Sequence, residues 1–192
     1  MKNPAPQTSD SGLRTSDIPV EAAVGLGSNL GDRLGYLREA RDRIAALPGT
    51  VSVEMSPVYE TEPVGVAEAY RELTYLNAVL LVHTTLDVEE WSRRLHALED
   101  ELFRVRTGER NAPRTIDIDL LTYGDVRMDR PDLRLPHPQC LTRRFVCQPL
   151  ADLRPDYVVP GQSRTVTQIL ATLPERPWVR HAEGAEGAFA RR

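Results

Sequence analysis

The sequence contains few cysteines and no long apolar run. Among its 192 residues there are two cysteines, Cys140 and Cys147, which cannot form a four-ligand metal site by themselves. Because nothing around them is typical of a secreted protein, we predict two free, partly buried thiols. No apolar stretch approaches the roughly 18 residues of a membrane-spanning helix, and the polar N-terminus lacks the apolar centre of a signal peptide. We therefore expect a cytoplasmic protein without a membrane partner.

An excess of positive charge is also missing. The chain has 24 Lys and Arg residues against 28 Asp and Glu residues, which gives a net charge of −4. Domains that bind nucleic acid are usually basic, so the overall charge argues against a nucleic-acid partner. A bound phosphate group would have to meet a local cluster of basic side chains. The apolar fraction of 41% and the charged fraction of 27% are otherwise typical of one globular domain.

The common nucleotide-binding signatures are absent. The sequence has no G-x-x-x-x-G-K-[ST] motif and neither the H-R-D nor the D-F-G element of protein kinases. Residues 25–31 have the spacing G-x-G-x-x-x-G, in which the third glycine is one place late for a dinucleotide-binding turn. Two predicted strands follow the first helix directly, which contradicts a parallel βαβ unit. The sequence therefore argues against P-loop, protein-kinase and Rossmann architectures.

The apolar periodicity predicts the element order β-α-β-β-α-β. Two helices are predicted from apolar residues at helical spacing, the first capped by Asp32 and ended by residues 48–49, the second covering 88–102. Alternating apolar residues predict four strands, at 20–26, 51–55, 76–82 and 116–120. The connections include a turn at 25–31, a loop at 61–70 and an arginine-rich loop at 104–114. This order is that of the ferredoxin-like α+β fold, for which we expect helices on both faces of the sheet and extra C-terminal elements.

The composition also predicts the limits of the folded domain. Residues 1–19 are rich in Pro, Ser, Thr and Asp and poor in apolar residues, which is typical of a disordered arm. We expect a single domain over residues 20–180. Residues 181–192 are predicted to be a flexible tail.

A pair of carboxylates lies on the last predicted strand. Residues i and i+2 of a strand point to the same face, so Asp117 and Asp119 share the face opposite the apolar residues around them. Two adjacent carboxylates repel each other and favour a cation. Mg²⁺ is a good candidate, because one or two carboxylates together with water and substrate phosphates commonly hold it. Without further context, the pair could equally be two solvated surface acids.

The loop before this strand favours the metal interpretation. Four arginines fall within eleven residues of an otherwise acidic chain: Arg104, Arg106, Arg110 and Arg114. Guanidinium groups match phosphate oxygens geometrically, although such a loop could also be a solvated basic turn. Pro113 should fix the position of Arg114 near Asp117. Arginines beside a carboxylate pair provide the charge neutralisation and positioning that phosphoryl transfer requires.

Two polar residues on the third predicted strand could bind a planar ring. Tyr75 and Asn77 share the face opposite Leu76 and Ala78, where a tyrosine could stack on a heterocycle and an asparagine could bond to its edge. The same residues could simply form an ordinary strand edge.

A further group of candidates follows the carboxylate pair along the chain. His137 lies between two prolines, and a single histidine is often structural or merely exposed. Arg143 and Arg144 offer more phosphate donors, and Phe145 offers another aromatic face.

These residues together resemble one known family, the 6-hydroxymethyl-7,8-dihydropterin pyrophosphokinases, over residues 21–172. The resemblance depends on the order and spacing of several segments rather than on any single one. The segments are Gly27-Ser28-Asn29-Leu30-Gly31, residues 59–65, Tyr75-Leu76-Asn77-Ala78, residues 104–119, Leu135-Pro136-His137 and Arg143-Arg144-Phe145.

The resemblance implies transfer of pyrophosphate from ATP to a pterin alcohol in folate synthesis, with release of AMP. It implies that Asp117 and Asp119 hold two Mg²⁺ ions. The implied ATP contacts are Glu99, Arg104, Arg106, Arg114, His137 and Arg143, among which Arg104, Arg114, His137 and Arg143 act on the triphosphate during transfer. The implied pterin contacts are Asn29, Thr61, Val64, Tyr75, Asn77 and Phe145. We expect small-molecule substrates only, and a monomer or a weak dimer.

The chain departs from the family pattern in the arginine-rich loop. The family often has Trp-Gly before the Pro-Arg pair, whereas this chain has Asn111-Ala112, and Thr107 replaces a residue that is often basic. Two alternatives from other classes also remain. An RNA-recognition module shares the element order but has an aromatic signature that is missing here. A D-x-D nucleotidyltransferase would have Gly-Ser close before the acidic pair, whereas Gly27-Ser28 lies far upstream of Asp117.

Overall fold

The computed structural model describes residues 15–102 and 112–185 of the chain. The strands in these residues are β1 (Thr15–Ser28), β2 (Thr50–Met55), β3 (Tyr59–Thr61), β4 (Tyr75–Leu86), β5 (Asp117–Tyr123), β6 (Met128–Asp129), β7 (Arg134–Leu135) and β8 (Val179–His181). The helices are α1 (Arg33–Ala46), α2 (Val88–Glu101), α3 (Arg144–Leu153) and α4 (Val166–Leu170), and a short 3-10 helix covers Glu68–Tyr70.

Six of these strands form one antiparallel sheet. Its order is β5-β1-β4-β3-β8, and β2 also pairs with β4. Because β1 occupies one edge of β4, β2 and β3 share the other edge, with β3 opposite residues 75–77 and β2 opposite residues 80–84. The order β5-β1-β4-β2 is that of the ferredoxin-like fold, so the predicted fold class is confirmed.

Helices cover both faces of this sheet. One core contains the apolar residues of α1 and α2 together with Ala22, Val24 and Leu26 of β1. The other core contains residues of α3 and α4 together with Ala23 of β1. Strand β4 supplies both cores, and its residues 76–82 are therefore all buried. A strand with two buried faces has a continuous apolar sequence rather than strict alternation.

The predicted starts and ends of the helices agree with the structure. The Asp32 side chain accepts a hydrogen bond from the Gly35 amide at 3.0 Å and caps α1. Helix α1 ends at Ala46, shortly before Pro48, and Gly49 adopts a φ of +88°. Asp87 caps α2 in the same way, accepting from the Glu90 amide at 2.8 Å.

The first strand differs from its prediction at both ends. Residues 15–19 belong to β1, where Thr15 lies opposite Leu86, so the folded domain begins before residue 20. Residues 25–28 also belong to β1 and do not form the predicted turn. The reason is that this segment pairs with β4 on one side and, at Gly25–Gly27, with β5 on the other. The chain turns after Asn29, at Gly31, whose φ is +68°.

The C-terminal limit of the domain was also predicted too early. His181 lies in β8 and pairs with Tyr59 of β3. Ala182 is 8% exposed and belongs to the core under α1 and α2, and Ala185 packs against the same core. The missed strand β3 follows Pro57, which has no amide hydrogen and separates β3 from β2. The rest of the predicted tail and residues 1–14 of the predicted arm lie outside the described residues.

Both cysteines are free and buried, Cys147 within α3 and Cys140 in the segment before it. Cys147 is fully buried, Cys140 is 5% exposed, and the Cys147 thiol donates to the Cys140 carbonyl at 3.3 Å. Burial raises the pKa of Cys140 to about 11 and that of Cys147 to about 12. The thiols are therefore protonated and unreactive at neutral pH. None of the helices in residues 15–102 and 112–185 is long and apolar enough to cross a membrane.

Candidate active site

A cavity lies on the α3 face of the sheet, above one end of β1. Its floor is formed by β5, β1, β4 and β3, and the start of α3 contributes part of the wall. Nine of the residues that we singled out from the sequence line this cavity: Thr61, Val64, Tyr75, Asn77, Arg114, Asp117, Asp119, Arg143 and Phe145. The fold thus brings carboxylates, arginines, aromatic rings and an amide together from distant parts of the chain.

The two carboxylates face the cavity, as the strand alternation predicts. Ile116, Ile118 and Leu120 are buried in the core on the α2 side, which directs Asp117 and Asp119 to the opposite face. Arg114 lies beside them, with 3.1 Å between its Nη1 and Asp117 Oδ2. These two side chains are only 16% and 24% exposed, so water screens their interaction less than it would on an open surface.

The backbone of Arg114 is held by Asn29. The Arg114 amide donates to Asn29 Oδ1 at 2.8 Å, and the Asn29 amide donates to the Arg114 carbonyl at 3.2 Å. Asn29 is 4% exposed and does not line the cavity. Asn29 therefore helps to position the Arg114 guanidinium beside the carboxylate pair. Its contact with the pterin remains a prediction.

The opposite end of the cavity is suited to a flat polar ring. Asn77 Nδ2 donates to Thr61 Oγ1 at 2.7 Å, and this bond fixes an amide that is only 7% exposed. Gly27 lies directly under the amide, and a Cβ at this position would be 2.9 Å from Asn77 Oδ1. Glycine is therefore required for space rather than for a turn, which the sequence interpretation missed.

The start of α3 joins the basic and aromatic parts of the cavity. Arg143 is the N-cap residue of α3, and its guanidinium carbon is 5.4 Å from the centre of the Phe145 ring. Arg143 also donates to Gln139 Oε1. Arg144, which we expected to offer another phosphate donor, instead points to the carbonyls of Leu170 and Leu173, at 3.5 and 3.2 Å. Arg144 therefore ties the start of α3 to the last residue of α4 and to the turn that follows it.

His137 lies next to the cavity without lining it. Its amide donates to the Leu121 carbonyl at 2.8 Å, which ties its loop to β5. Its Nδ1 accepts from the Gln139 amide at 3.2 Å, which places the ring hydrogen on Nε2. Burial and the nearby Arg143 lower the pKa of His137, while Asp117 opposes this shift. At neutral pH the ring is thus a neutral donor.

The remaining predicted ATP contacts are Glu99, Arg104 and Arg106. Glu99 is 2% exposed on α2, and its Oε1 accepts the Ile118 amide at 2.6 Å. It therefore supports β5 from the core side and does not line the cavity, and its contact with ATP remains a prediction. Arg104 and Arg106 lie outside the described residues, as do Thr107 and Asn111.

The carboxylate pair fits Mg²⁺ in its chemistry. In the part of the chain that the structure describes, no group of three or more His, Cys, Asp and Glu side chains could hold a metal ion. Asp117 and Asp119 would therefore supply only part of a coordination shell. This suits Mg²⁺, which keeps several waters and takes substrate phosphate oxygens as ligands. A zinc site would require more protein ligands.

Carboxylates and arginines at one end of the cavity and an amide with aromatic rings at the other are the chemical groups suited to phosphoryl transfer to a planar substrate. The family model for 7,8-dihydro-6-hydroxymethylpterin-pyrophosphokinase (HPPK) matches residues 23–155. A 2-amino-4-hydroxy-6-hydroxymethyldihydropteridine pyrophosphokinase of Pseudomonas aeruginosa is 38% identical over 151 residues, which cover 79% of this chain and 90% of the relative. The chain therefore belongs to the HPPK family.

Longer proteins contain a similar region. The folic acid synthesis protein fol1 of Pneumocystis carinii is 34% identical over 137 residues, which cover 71% of this chain and 18% of that protein. A Plasmodium falciparum HPPK-DHPS structure with pteroate has a TM-score of 0.61 at 13% identity and shows the same fold. That match covers 80% of this chain and 40% of the longer one. Family membership removes the RNA-recognition and nucleotidyltransferase alternatives.

Proposed function

We propose that this protein transfers the pyrophosphoryl group of ATP to 6-hydroxymethyl-7,8-dihydropterin and releases AMP, as a step of folate synthesis. The observation that carries the proposal is that one cavity has carboxylates and arginines at one end and an amide with aromatic rings at the other, in a chain that belongs to the HPPK family. We assign the first end to the phosphates and the second to the pterin ring. Asp117, Asp119, Arg114 and Arg143 form the phosphate half. Asn77, with its partner Thr61 and the aromatic Tyr75, belongs to the ring half.

Three strand spacings of the sheet separate these two halves. Asp117 and Asp119 lie on β5, and Thr61 lies on β3, which is three strands away. At a strand spacing of about 4.8 Å, this corresponds to roughly 14 Å. A pterin lying over β4 and β1 would direct its hydroxymethyl group towards β5. A Cβ at Gly27 on β1 would be 2.9 Å from Asn77 Oδ1 and 3.7 Å from Asp117 Cβ, so glycine keeps a side chain out of the space between the two halves.

The proposed reaction is one displacement at phosphorus. The pterin hydroxymethyl oxygen forms a bond to the β-phosphorus of ATP and loses its proton, while the bond from the β-phosphorus to the oxygen bridging the α-phosphorus breaks. AMP leaves with that oxygen. Loose phosphoryl-transfer transition states depend on positioning and charge neutralisation rather than on a strong general base. Arg114 and Arg143 would neutralise charge on the phosphate chain, and His137 would donate a hydrogen bond to it from Nε2.

Asp117 and Asp119 would hold Mg²⁺, and we propose two ions. Bound metal would neutralise charge on the phosphate oxygens as the transfer proceeds. Arg114 would keep Asp117 in place before the substrates bind, since the two side chains are already paired. The proposed localisation is the cytoplasm.

Separation of the nucleotide products tests this function. The full chain is incubated with ATP, Mg²⁺ and 6-hydroxymethyl-7,8-dihydropterin, and the nucleotides are separated by anion-exchange chromatography. We expect AMP in an amount equal to the pterin consumed, and no AMP when the pterin is omitted. Asp119→Ala protein, purified in the same way, controls for contaminating kinases. Pterin-dependent ADP instead of AMP would contradict pyrophosphoryl transfer.

A further inference from the structure

The C-terminal strand continues to the rim of the cavity. β8 pairs with β3 up to Thr61, which lies opposite Val179. One residue further, the Glu62 amide donates to the Trp178 carbonyl at 3.2 Å. The Trp178 amide in turn donates to the Glu62 side chain, at 2.7 Å from Oε2. The contact between the two segments therefore extends past the end of β3 to Glu62, which lines the cavity.

The Glu62 carboxylate is held through both of its oxygens. Oε2 accepts the Trp178 amide, and Oε1 forms an ion pair with the Arg176 guanidinium. Arg176 is 77% exposed, whereas Glu62 is 25% exposed. Exposed ion pairs contribute little, but a hydrogen bond from an amide to a partly buried carboxylate is stronger. The Trp178 amide should therefore be the main anchor, and Arg176 a weaker one.

Glu62 joins two residues that contact the ring end of the cavity. Thr61 precedes it and accepts the bond from Asn77, and Val64 follows two positions later. Gly65 then turns the chain with a φ of +65°. Because the backbone and both carboxylate oxygens of Glu62 are bonded to the C-terminal segment, that segment holds the stretch of chain carrying Thr61 and Val64 at the rim of the cavity.

We infer that Glu62 is a positioning residue for the pterin ring, anchored by Trp178 and Arg176 of the C-terminal segment. This inference rests on the proposed function. Glu62 would act through its neighbours Thr61 and Val64, and it would not contact the reacting phosphate. The effect should therefore concern the binding of the pterin and not the binding of ATP, whose phosphates lie at the β5 end of the cavity.

The same pair of strands offers a matched control. Arg180 on β8 forms an ion pair with Glu60 on β3 at 3.0 Å, and Arg180 is 67% exposed. Glu60 does not line the substrate cavity but a second one, together with Arg33 and His181. Arg180→Gln therefore removes this ion pair and the contact of Arg180 with the Trp178 ring, whose centre is 4.3 Å away. It leaves the backbone amide of Trp178, which holds Glu62, and the lining of the substrate cavity unchanged.

The test compares steady-state kinetics of the full chain and its variants with variable pterin and with variable ATP. For Glu62→Ala we expect a roughly tenfold rise in the KM for the pterin, since the main anchor is lost. The KM for ATP and kcat should stay within about twofold. Glu62→Gln keeps an oxygen acceptor for the Trp178 amide and should recover most of the affinity. Arg176→Gln should raise the pterin KM only about twofold, as expected for an exposed pair.

The outcomes separate the inference from the function on which it rests. Wild-type protein that forms no AMP with the pterin contradicts the proposed function and, with it, the inference. Active wild-type protein with equal pterin KM values for Glu62→Ala and Arg180→Gln overturns the inference alone. An equal rise of both KM values together with a lower melting temperature would show a general loss of structure, which also overturns it. A selective rise in the pterin KM that Glu62→Gln reverses supports it.

Discussion

At the scale of single residues, Asp117 and Asp119 share a face but have different surroundings. Asp117 forms an ion pair with Arg114, and Arg114 is itself bonded to Asn29 through the backbone. Replacing Asp117 therefore disturbs an arginine as well as the proposed metal site. Asp119 provides the clearer test of metal binding, because the described pair with Arg114 remains intact in its variants.

Replacing Asp119 by Ala should remove turnover while the fold survives. Loss of one of the two carboxylates should lower kcat at limiting Mg²⁺ by about 10²–10³-fold, the size of a lost electrostatic contact in a transition state. The melting temperature should stay the same or rise, since two neighbouring negative charges repel each other. Asp117→Ala should also lose turnover. Asp125→Asn, in the exposed turn after β5, is the matched control. Near wild-type activity of Asp119→Ala at low Mg²⁺ would show that the metal assignment is wrong.

The glycines of β1 provide a second test at this scale. In Gly27→Ala the new Cβ would be 2.9 Å from Asn77 Oδ1, so the amide must move out of its position. In Gly25→Ala the nearest atom is Leu121 Cδ2 at 3.5 Å, which is an ordinary contact. We expect Gly27→Ala to weaken pterin binding by at least roughly tenfold, because the ring edge loses its partner. Gly25→Ala should have a much smaller effect in the same calorimetric titration. Similar affinities for the two variants would place the pterin elsewhere.

The aromatic residues should distinguish the two substrates. We expect Tyr75→Ala and Phe145→Ala to lower pterin affinity by about two- to tenfold, as stacked rings contribute on the order of 0.5–1.5 kcal/mol beyond burial. Phe145 also lies under the Arg143 guanidinium, so its variant should affect ATP slightly, whereas Tyr75→Ala should not. Separate titrations with each substrate measure this difference. Equal losses for ATP and pterin in the Tyr75 variant would contradict the proposed location of the ring.

At the scale of secondary structure elements, local signals predicted α1, α2 and the main strands well, whereas α3 and α4 were expected only as unspecified C-terminal elements. Asp32 and the Pro48-Gly49 pair determine where α1 begins and ends, and both effects are local. The face shared by Asp117 and Asp119 follows from strand alternation alone. These features depend on a few neighbouring residues, so the sequence is sufficient to predict them.

Features that depend on distant partners were not predictable in the same way. Residues 25–28 are rich in glycine and suggest a turn, yet they form a strand because β4 and β5 pair with them on both sides. The short strands β3 and β8 stabilise each other across more than a hundred residues of chain. The role of Glu62 was missed for this reason, since its partners Arg176 and Trp178 are remote in sequence.

Protonation of His137, in the loop between β7 and α3, should make the stability of the fold depend on pH. Burial and Arg143 lower the pKa of His137 below its ordinary value of 6.5. His137 therefore binds a proton more readily in the unfolded chain than in the folded one. Its effect on the free energy of unfolding is absent above about pH 6.5, and this free energy decreases as the pH falls below that value. Between pH 7.5 and 5.5 we expect the melting temperature of the wild type to fall more than that of His137→Gln. Equal decreases for both proteins would show that His137 is not protonated on unfolding.

At the scale of the whole molecule, the sheet fixes the distance between the two proposed binding regions. The outer strand β5 carries the carboxylates, and β3 near the other edge carries Thr61, which accepts the bond from the Asn77 side chain. Cores on both faces fix the strands between them, so the distance between the regions does not depend on a single contact. A site built on strands rather than on loops is well suited to hold two substrates in one orientation.

The central claim is that the bond broken lies between the α- and β-phosphorus of ATP. Phosphorus NMR of the complete reaction with 6-hydroxymethyl-7,8-dihydropterin, ATP and Mg²⁺ observes this bond directly. The proposed function predicts an AMP singlet and, at equal concentration, two mutually coupled resonances of a pterin diphosphate. A pterin monophosphate singlet together with the two coupled resonances of ADP would contradict it.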